Sequence, residues 1–198
     1  MEIDLTSVLN GVSPDVRCLD NMREVLCDKD FAKNSPNIDL YFMYRKVKQE
    51  NGLVNNITIT PANMLGSEFA KTKGHVHVGN FKEIYTVLEG EAIYFMQKGN
   101  GEKIEDVYAV KAKKGESAII PEGYGHITIN PSETETLKTS DWTSEKCKSD
   151  YSLFVKMQGA CYFYTKNGWI KNENYKFVPE LRFEDSIKSI PEDLSFLK

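Results

Sequence analysis

From about residue 38 onward the chain is a succession of short runs rich in β-branched and aromatic residues: "IDLYFMYRKV", "NITIT", "EIYTVL", "EAIYFMQ", "DVYAVKA", "SAIIP", "HITIN", "YSLFVKM" and "ACYFYT". Runs of this length and composition suit strands. Between them, "EGE", "KGNGEK", "KKGE", "PEGYG" and Asn167-Gly168 supply the turn residues that join antiparallel neighbours. So many short strands around one core define an all-β protein, either a double-sheet jelly roll or a barrel.

Three segments depart from that texture. "SPDVRCLDNMREVL" offers Ser13 as a cap, Pro14 at a first helical position, and Val16, Leu19, Met22 and Leu26 at helix-like intervals. A short N-terminal helical segment is therefore expected within an extension over residues 1–37, ahead of a barrel over 38–178. Residues 131–150, "PSETETLKTSDWTSEKCKSD", are polar and long for a hairpin connection. They read as a surface loop, either a functional lid or a plain excursion. A C-terminal extension over 179–198 sets Ile187, Leu194 and Phe196 among acids, to pack on the barrel or on a neighbouring subunit.

At 198 residues, 40% hydrophobic and 27% charged, the chain is ordinary for one compact soluble domain. Its net charge of −4 is scattered, with no basic stripe to follow a phosphate backbone, so nucleic acid is not an expected partner. The opening "MEIDLTSVLN" lacks a basic region followed by an apolar run, and nothing downstream approaches the ~20 apolar residues that span a bilayer. No membrane association and a cytoplasmic location are expected. Cys18, Cys27, Cys147 and Cys161 form no CxxC pair, which favours inert thiols over a disulfide framework or a zinc ribbon.

The chain has only three histidines, and two of them flank a valine in "TKGHVHVG". Side chains at i and i+2 of a strand leave the same face, so His75 and His77 project together. In "NFKEIY" the alternation puts Glu83, Tyr85 and Val87 on one face, and an inward carboxylate needs a cation because burying it unpaired is very costly. The third histidine closes a spaced block, Gly115, Pro121, Gly123, His126 and Asn130, within "GESAIIPEGYGHITIN".

These two blocks resemble the motifs of the cupin superfamily. The first motif there reads HxH, Glu and Gly, matched by His75, His77, Glu83 and Gly90. The second reads G-x5-P-x-G-x2-H-x3-N, as in residues 115–130; the leading glycine of the first is displaced to Gly66. The resemblance implies a cupin double-stranded β-helix, a jelly-roll barrel with room for one site. Three imidazoles and a carboxylate converging there suit one divalent transition metal such as Fe, Mn, Ni, Cu or Zn, with one or two positions left open.

Over about residues 40–131, "TPANMLGSEFAKTKGHVH", "EIYTVLEGEAIYFMQ" and "PEGYGHITIN" are similar to the cupin-type phosphoglucose isomerases. That likeness implies a metal-dependent enzyme of glycolysis and gluconeogenesis that interconverts glucose 6-phosphate and fructose 6-phosphate, with a homodimeric assembly. It implies phosphate contacts at Thr72 and Gly74, with Lys73 between them as a further charge, and Tyr85 against the sugar. It makes His75, His77, Glu83 and His126 the metal ligands and Glu83 the carboxylate that carries the proton between C1 and C2; a hydride shift would use the same residues. One departure stands out: where family members carry His-Asp-Tyr this chain has Ser149-Asp150-Tyr151, so Asp150, Tyr151, a water or another residue takes over, or the sugar phosphate differs. Other readings remain open, namely an isomerase of another sugar phosphate, an iron oxygenase built on the same donors, or a non-catalytic sugar-binding cupin.

Overall fold

The structure, a computed structural model, describes residues 11–198, and the opening "MEIDLTSVLN" lies outside the described residues. In chain order the elements are β1 (Asp15–Cys18), α1 (Lys29–Asn34), β2 (Asp39–Glu50), β3 (Leu53–Thr60), β4 (Val76–Val78), β5 (Glu83–Glu89), β6 (Glu91–Asn100) and β7 (Lys103–Lys113). They continue with β8 (Ser117–Ile120), β9 (Gly125–Ile129), β10 (Leu137–Ser144), β11 (Lys148–Asp150), α2 (Ser152–Lys156), β12 (Tyr162–Thr165), β13 (Gly168–Lys171) and β14 (Arg182–Glu184). A six-stranded sheet in the order β1-β2-β3-β10-β5-β8 and a four-stranded sheet in the order β14-β7-β6-β9 make up the two leaves of a jelly roll. Among the described residues the two leaves do not join into one closed cylinder, so the interior is that of a sandwich.

Tyr85, Val87, Tyr94, Met96, Val110 and Ile120 fill the space between the leaves. The opposite face of the four-stranded sheet is also buried. Ile93 and Phe95 of β6 lie in the same cluster as Leu19, Met22, Phe154 and Tyr162, so the N-terminal segment, α2 and the β12–β13 hairpin form a third layer. Burial on both faces explains why β6 reads as the unbroken "AIYFM" instead of alternating. Each large apolar side chain so buried contributes about 1.5–3 kcal/mol relative to exposure. A buried ion pair, Glu68–Lys71, pins this layer in place. Lys71 Nζ donates to the Val25 carbonyl at 2.9 Å, and Glu68 Oε2 accepts from the Cys27 amide at 3.1 Å.

The expected helix over residues 13–26 does not form. Residues 15–18 pair with β2 as an edge strand, and two 3-10 turns follow at Leu19–Asn21 and Arg23–Val25. Val16, which a helix would have buried, is 44% exposed, whereas Leu19, Met22, Val25 and Leu26 are fully buried against the sheet. The Asn21 side chain accepts from the Cys18 amide at 3.1 Å and tightens the first turn. Tertiary burial thus uses the same apolar residues in turns, overriding a weak local preference. The helices in this region and after it are short: α1, capped by Asp28 on the Phe31 amide at 2.8 Å, and α2, which replaces the strand expected at "YSLFVKM".

Residues 131–150 are likewise not a surface loop. β10 lies between β3 and β5 near the centre of the six-stranded sheet, and β11 pairs with β4. Polar residues alternate along β10 because Thr139, Asp141 and Thr143 are buried on one face. The C-terminal tail packs on the molecule itself. β14 runs parallel to β7, with Arg182 paired to Asp106, and Leu194, Phe196 and Leu197 cover Leu53 and Ile84 on the outer face of the larger sheet.

Candidate metal centre

Strand pairing delivers all three histidines and Glu83 to one end of the interior. His75 and His126 face each other in an antiparallel bridge, with His75 N donating to His126 O at 3.2 Å and His126 N donating to His75 O at 3.0 Å. Their rings therefore lie side by side, with centroids 4.4 Å apart. Two residues on, along β4, His77 points the same way, and the short turn after it returns the chain to Glu83 at the start of β5. The Phe81 carbonyl in that turn is 3.0 Å from His77 Nδ1, so Nδ1 donates its proton there and Nε2 faces Glu83, where a metal ion would displace the proton that Nε2 carries.

The four donor atoms lie within 4.8 Å of one another. Glu83 Oε2 is 3.1 Å from His126 Nε2 and 3.3 Å from His77 Nε2. Yet Glu83 Oε2 and both ring nitrogens of His126 are buried without an aligned hydrogen bond. Atoms this close that do not bond to one another are aimed at a common point. Two ligands each about 2.1 Å from one ion sit roughly 3.0–3.4 Å apart, so the spacing and the orphaned atoms both fit a bound transition metal. His75, His77, Glu83 and His126 could hold such an ion.

Electrostatics are arranged around this cluster. Burial, together with His126, keeps His75 well below the usual imidazole range. At His77 burial opposes charge, but Cys147 and the Glu83 carboxylate outweigh it and push the group up to about 11. Burial raises Glu83 while His126 and His77 pull it down further, so the carboxylate stays ionised. Asp141 is the reverse case: burial and then the charge of Glu83 push it well above the carboxylate range. It accepts from Asn56 Nδ2 at 2.6 Å.

The cluster opens into a cavity of about 180 Å³ lined by Thr72, Lys73, Gly74 and Tyr85, among others. Thr72 Oγ1 accepts from the Thr128 amide at 3.0 Å, leaving its own proton to donate, and the Lys73 amide donates to the Tyr41 hydroxyl at 3.2 Å. Tyr85 is 8% exposed, and burial with Glu83 beside it raises its phenol well above the usual range, so it remains a donor. Of the two neighbours of Ser149 considered as stand-ins for the missing histidine, Tyr151 lines the cavity together with Ser149 itself. Asp150 is exposed and instead caps the Ser152 amide at 2.8 Å. Asp141, Asn56, Arg45 and Cys147 also line the cavity, and the sequence reading did not place them there. The alternation Thr139, Asp141, Thr143 was the available signal for Asp141, while Cys147, expected to be an inert thiol, stands beside His77.

A two-leaved jelly roll whose interior end holds three histidines and a glutamate on adjoining strands is a cupin with a candidate metal centre. Within that class, the family model described as glucose-6-phosphate isomerase (GPI) matches residues 29–180, and the chain belongs to that family, the cupin-type phosphoglucose isomerases. A search of curated proteins gave no match. Among solved structures, an oxalate oxidase in complex with the substrate analogue glycolate is 21% identical, with 50% of this chain and 46% of that one covered and a TM-score of 0.39. A cupin-2 domain protein from Shewanella frigidimarina is 16% identical over 51% of this chain and 78% of its own, at a TM-score of 0.37. A vicilin from Capsicum annuum is 12% identical over 57% and 30%, at 0.43. The chain therefore spans less than half the length of the oxalate oxidase and of the vicilin.

Proposed function

We propose that the protein is a metal-dependent aldose–ketose isomerase that interconverts glucose 6-phosphate and fructose 6-phosphate, working in the cytoplasm as a homodimer. The observation that carries this reading is the convergence of His75, His77, Glu83 and His126 at the floor of a cavity whose wall includes Thr72, Lys73 and Gly74, in a chain of the GPI family. A bound divalent metal, one of Fe, Mn, Ni or Zn, would supply Lewis acidity toward the sugar oxygens. The protein's own residues do the rest. Isomerisation moves one hydrogen between C1 and C2 and consumes no oxidant. Glu83, ionised and anchored among histidines, is the carboxylate able to take and return a proton. The Tyr85 hydroxyl donates to a sugar oxygen. Lys73 and the Thr72 hydroxyl attract the phosphate, for which charge-assisted hydrogen bonds are the strongest available grip.

A coupled assay for glucose 6-phosphate made from fructose 6-phosphate tests the reading, with metal-stripped protein reloaded in turn with each of the four metals. Turnover should require metal and should fall more than about a hundredfold in His126→Ala. A protein that binds metal and sugar phosphate yet turns over with none of the four would end the assignment.

A further inference from the structure

The cavity-facing stripe of β2 runs Tyr41, Met43, Arg45. Its ladder with β3 is regular up to Tyr44–Ile57 and resumes at Lys48–Asn55, so residues 45–47 of β2 stand opposite Asn56 alone. Such a bulge bends a strand and re-aims a side chain. Here it contains Lys46 at φ +55°, a left-handed conformation that lysine adopts only when its surroundings enforce it. The enforcing contact is the Lys46 amide donating to Asn56 Oδ1 at 2.9 Å. Because that bond fixes the Asn56 amide, its nitrogen is the atom left to face Asp141. The bulge is thus tied by two hydrogen bonds to the row that ends at the metal cluster.

What the bulge presents to the cavity is Arg45. Its Nε donates to Asp15 Oδ2 at 2.8 Å, and one terminal nitrogen meets the Met43 sulfur at 3.3 Å. A guanidinium has five N–H donors, so this pinned fork keeps several for a ligand. Lys73, on the same cavity, has among the described residues a loose 3.9 Å ion pair with an exposed Glu24. The carboxylates lining the cavity are Glu83, which His77 and His126 face at 3.3 and 3.1 Å, the buried Asp141 and the exposed Glu145. The cavity therefore holds two cations with N–H donors to spare, while its buried carboxylates already face His77, His126 and Asn56. A single lysine balances half the charge of a phosphate monoester dianion, whereas a lysine and a forked guanidinium balance all of it.

We propose that Arg45 is a second cationic contact for the phosphate monoester of the substrate, set by the β2 bulge, and that with Lys73 it makes the site selective for a doubly charged ligand. This rests on the sugar-phosphate reading above. Two measurements keep their failures apart: inorganic phosphate binding by calorimetry, and steady-state turnover of fructose 6-phosphate, both on the full metal-loaded chain. In Arg45→Gln, phosphate should bind about tenfold more weakly and lose much of its salt dependence, and the catalytic loss should fall on KM more than on kcat. Arg45→Lys should recover part of the affinity, since it restores charge without the fork. The Arg45 side chain is about half exposed, and equal melting temperatures and metal contents would show that the variants are intact. Weakened phosphate binding in a protein that never isomerises would keep this inference and remove the isomerase. Turnover with an unchanged KM in Arg45→Gln, or phosphate binding equal to the parent, would overturn the inference and leave the isomerase standing.

Discussion

Gly74 stands at φ +85° directly before His75, and a Cβ there would lie 2.5 Å from Ile127 Cγ2 and 2.8 Å from the Phe154 ring. Both the backbone and the neighbours forbid a side chain, so Gly74→Ala should destabilise the protein by about 1–3 kcal/mol and displace His75. Thermal melting and metal content should fall together; an unchanged melt would remove the steric account. At Glu83 the isosteric change to Gln keeps volume but removes the charge facing His77 and His126. Metal affinity should drop by a hundredfold or more, readable by competition with a chromogenic chelator. That His75, His77, Glu83 and His126 come together could be anticipated from the sequence, because His75 and His77 stand two apart on a strand and His126 falls on the second cupin-like motif. Asp141 was harder to read. A lone aspartate in a polar stretch looks like a solvated charge, its one cue was the alternation with Thr139 and Thr143, and its pairing with Tyr85 and Asn56 shows a buried acid whose pKa burial raises.

Among the elements, β10 was the hardest to recognise. Strand patterns are read from apolar faces, and β10 turns Thr139, Asp141 and Thr143 inward because the interior beside the metal cluster is polar. The N-terminal turns failed for the opposite reason: their apolar spacing is real, but the sheet needed a cover and not a helix. By contrast β5 to β9 were legible, since each is a short run bounded by turn residues. The tail supplies two tests at this scale. Leu197, 1% exposed against Leu53 and Ile84, should cost about 2–4 kcal/mol on change to Ala, measured by urea unfolding. β14 is tied to β7 by Arg182 and Asp106, and the guanidinium holds that carboxyl down to about 2 while the Tyr124 hydroxyl donates to it at 2.6 Å. A depressed carboxyl stabilises fully above the ordinary value near 3.9 and loses its contribution as pH falls through the folded value. Asp106→Asn should therefore be less stable than the parent at pH 6, by under about 1 kcal/mol for so exposed a pair, and the difference should vanish toward pH 2. Parallel acid titrations of the two proteins would contradict this if the gap persisted.

For the molecule as a whole, the metal cluster joins β4, β5 and β9, and so ties the two leaves together at one end. An ion bound only by the folded state adds about 2.7 kcal/mol when present at a hundred times its dissociation constant. In a chain of this size that corresponds to a melting temperature roughly 5–11 °C higher than after chelation, with little change in secondary structure. Calorimetry with and without a chelator checks it, and coincident melts would mean that the cluster carries no ion. The other large-scale feature is the third layer over the four-stranded sheet, held by Glu68 and Lys71. Beneath it lies β6, an apolar strand with no charge from Ala92 to Met96. Opening that layer would leave the sandwich itself folded but unveil a sticky ribbon, so damage to the Glu68–Lys71 clasp would be felt first as clumping that worsens with concentration. How long this protein keeps in solution is then decided by the fit of its N-terminal cover and not by the strength of its sheets.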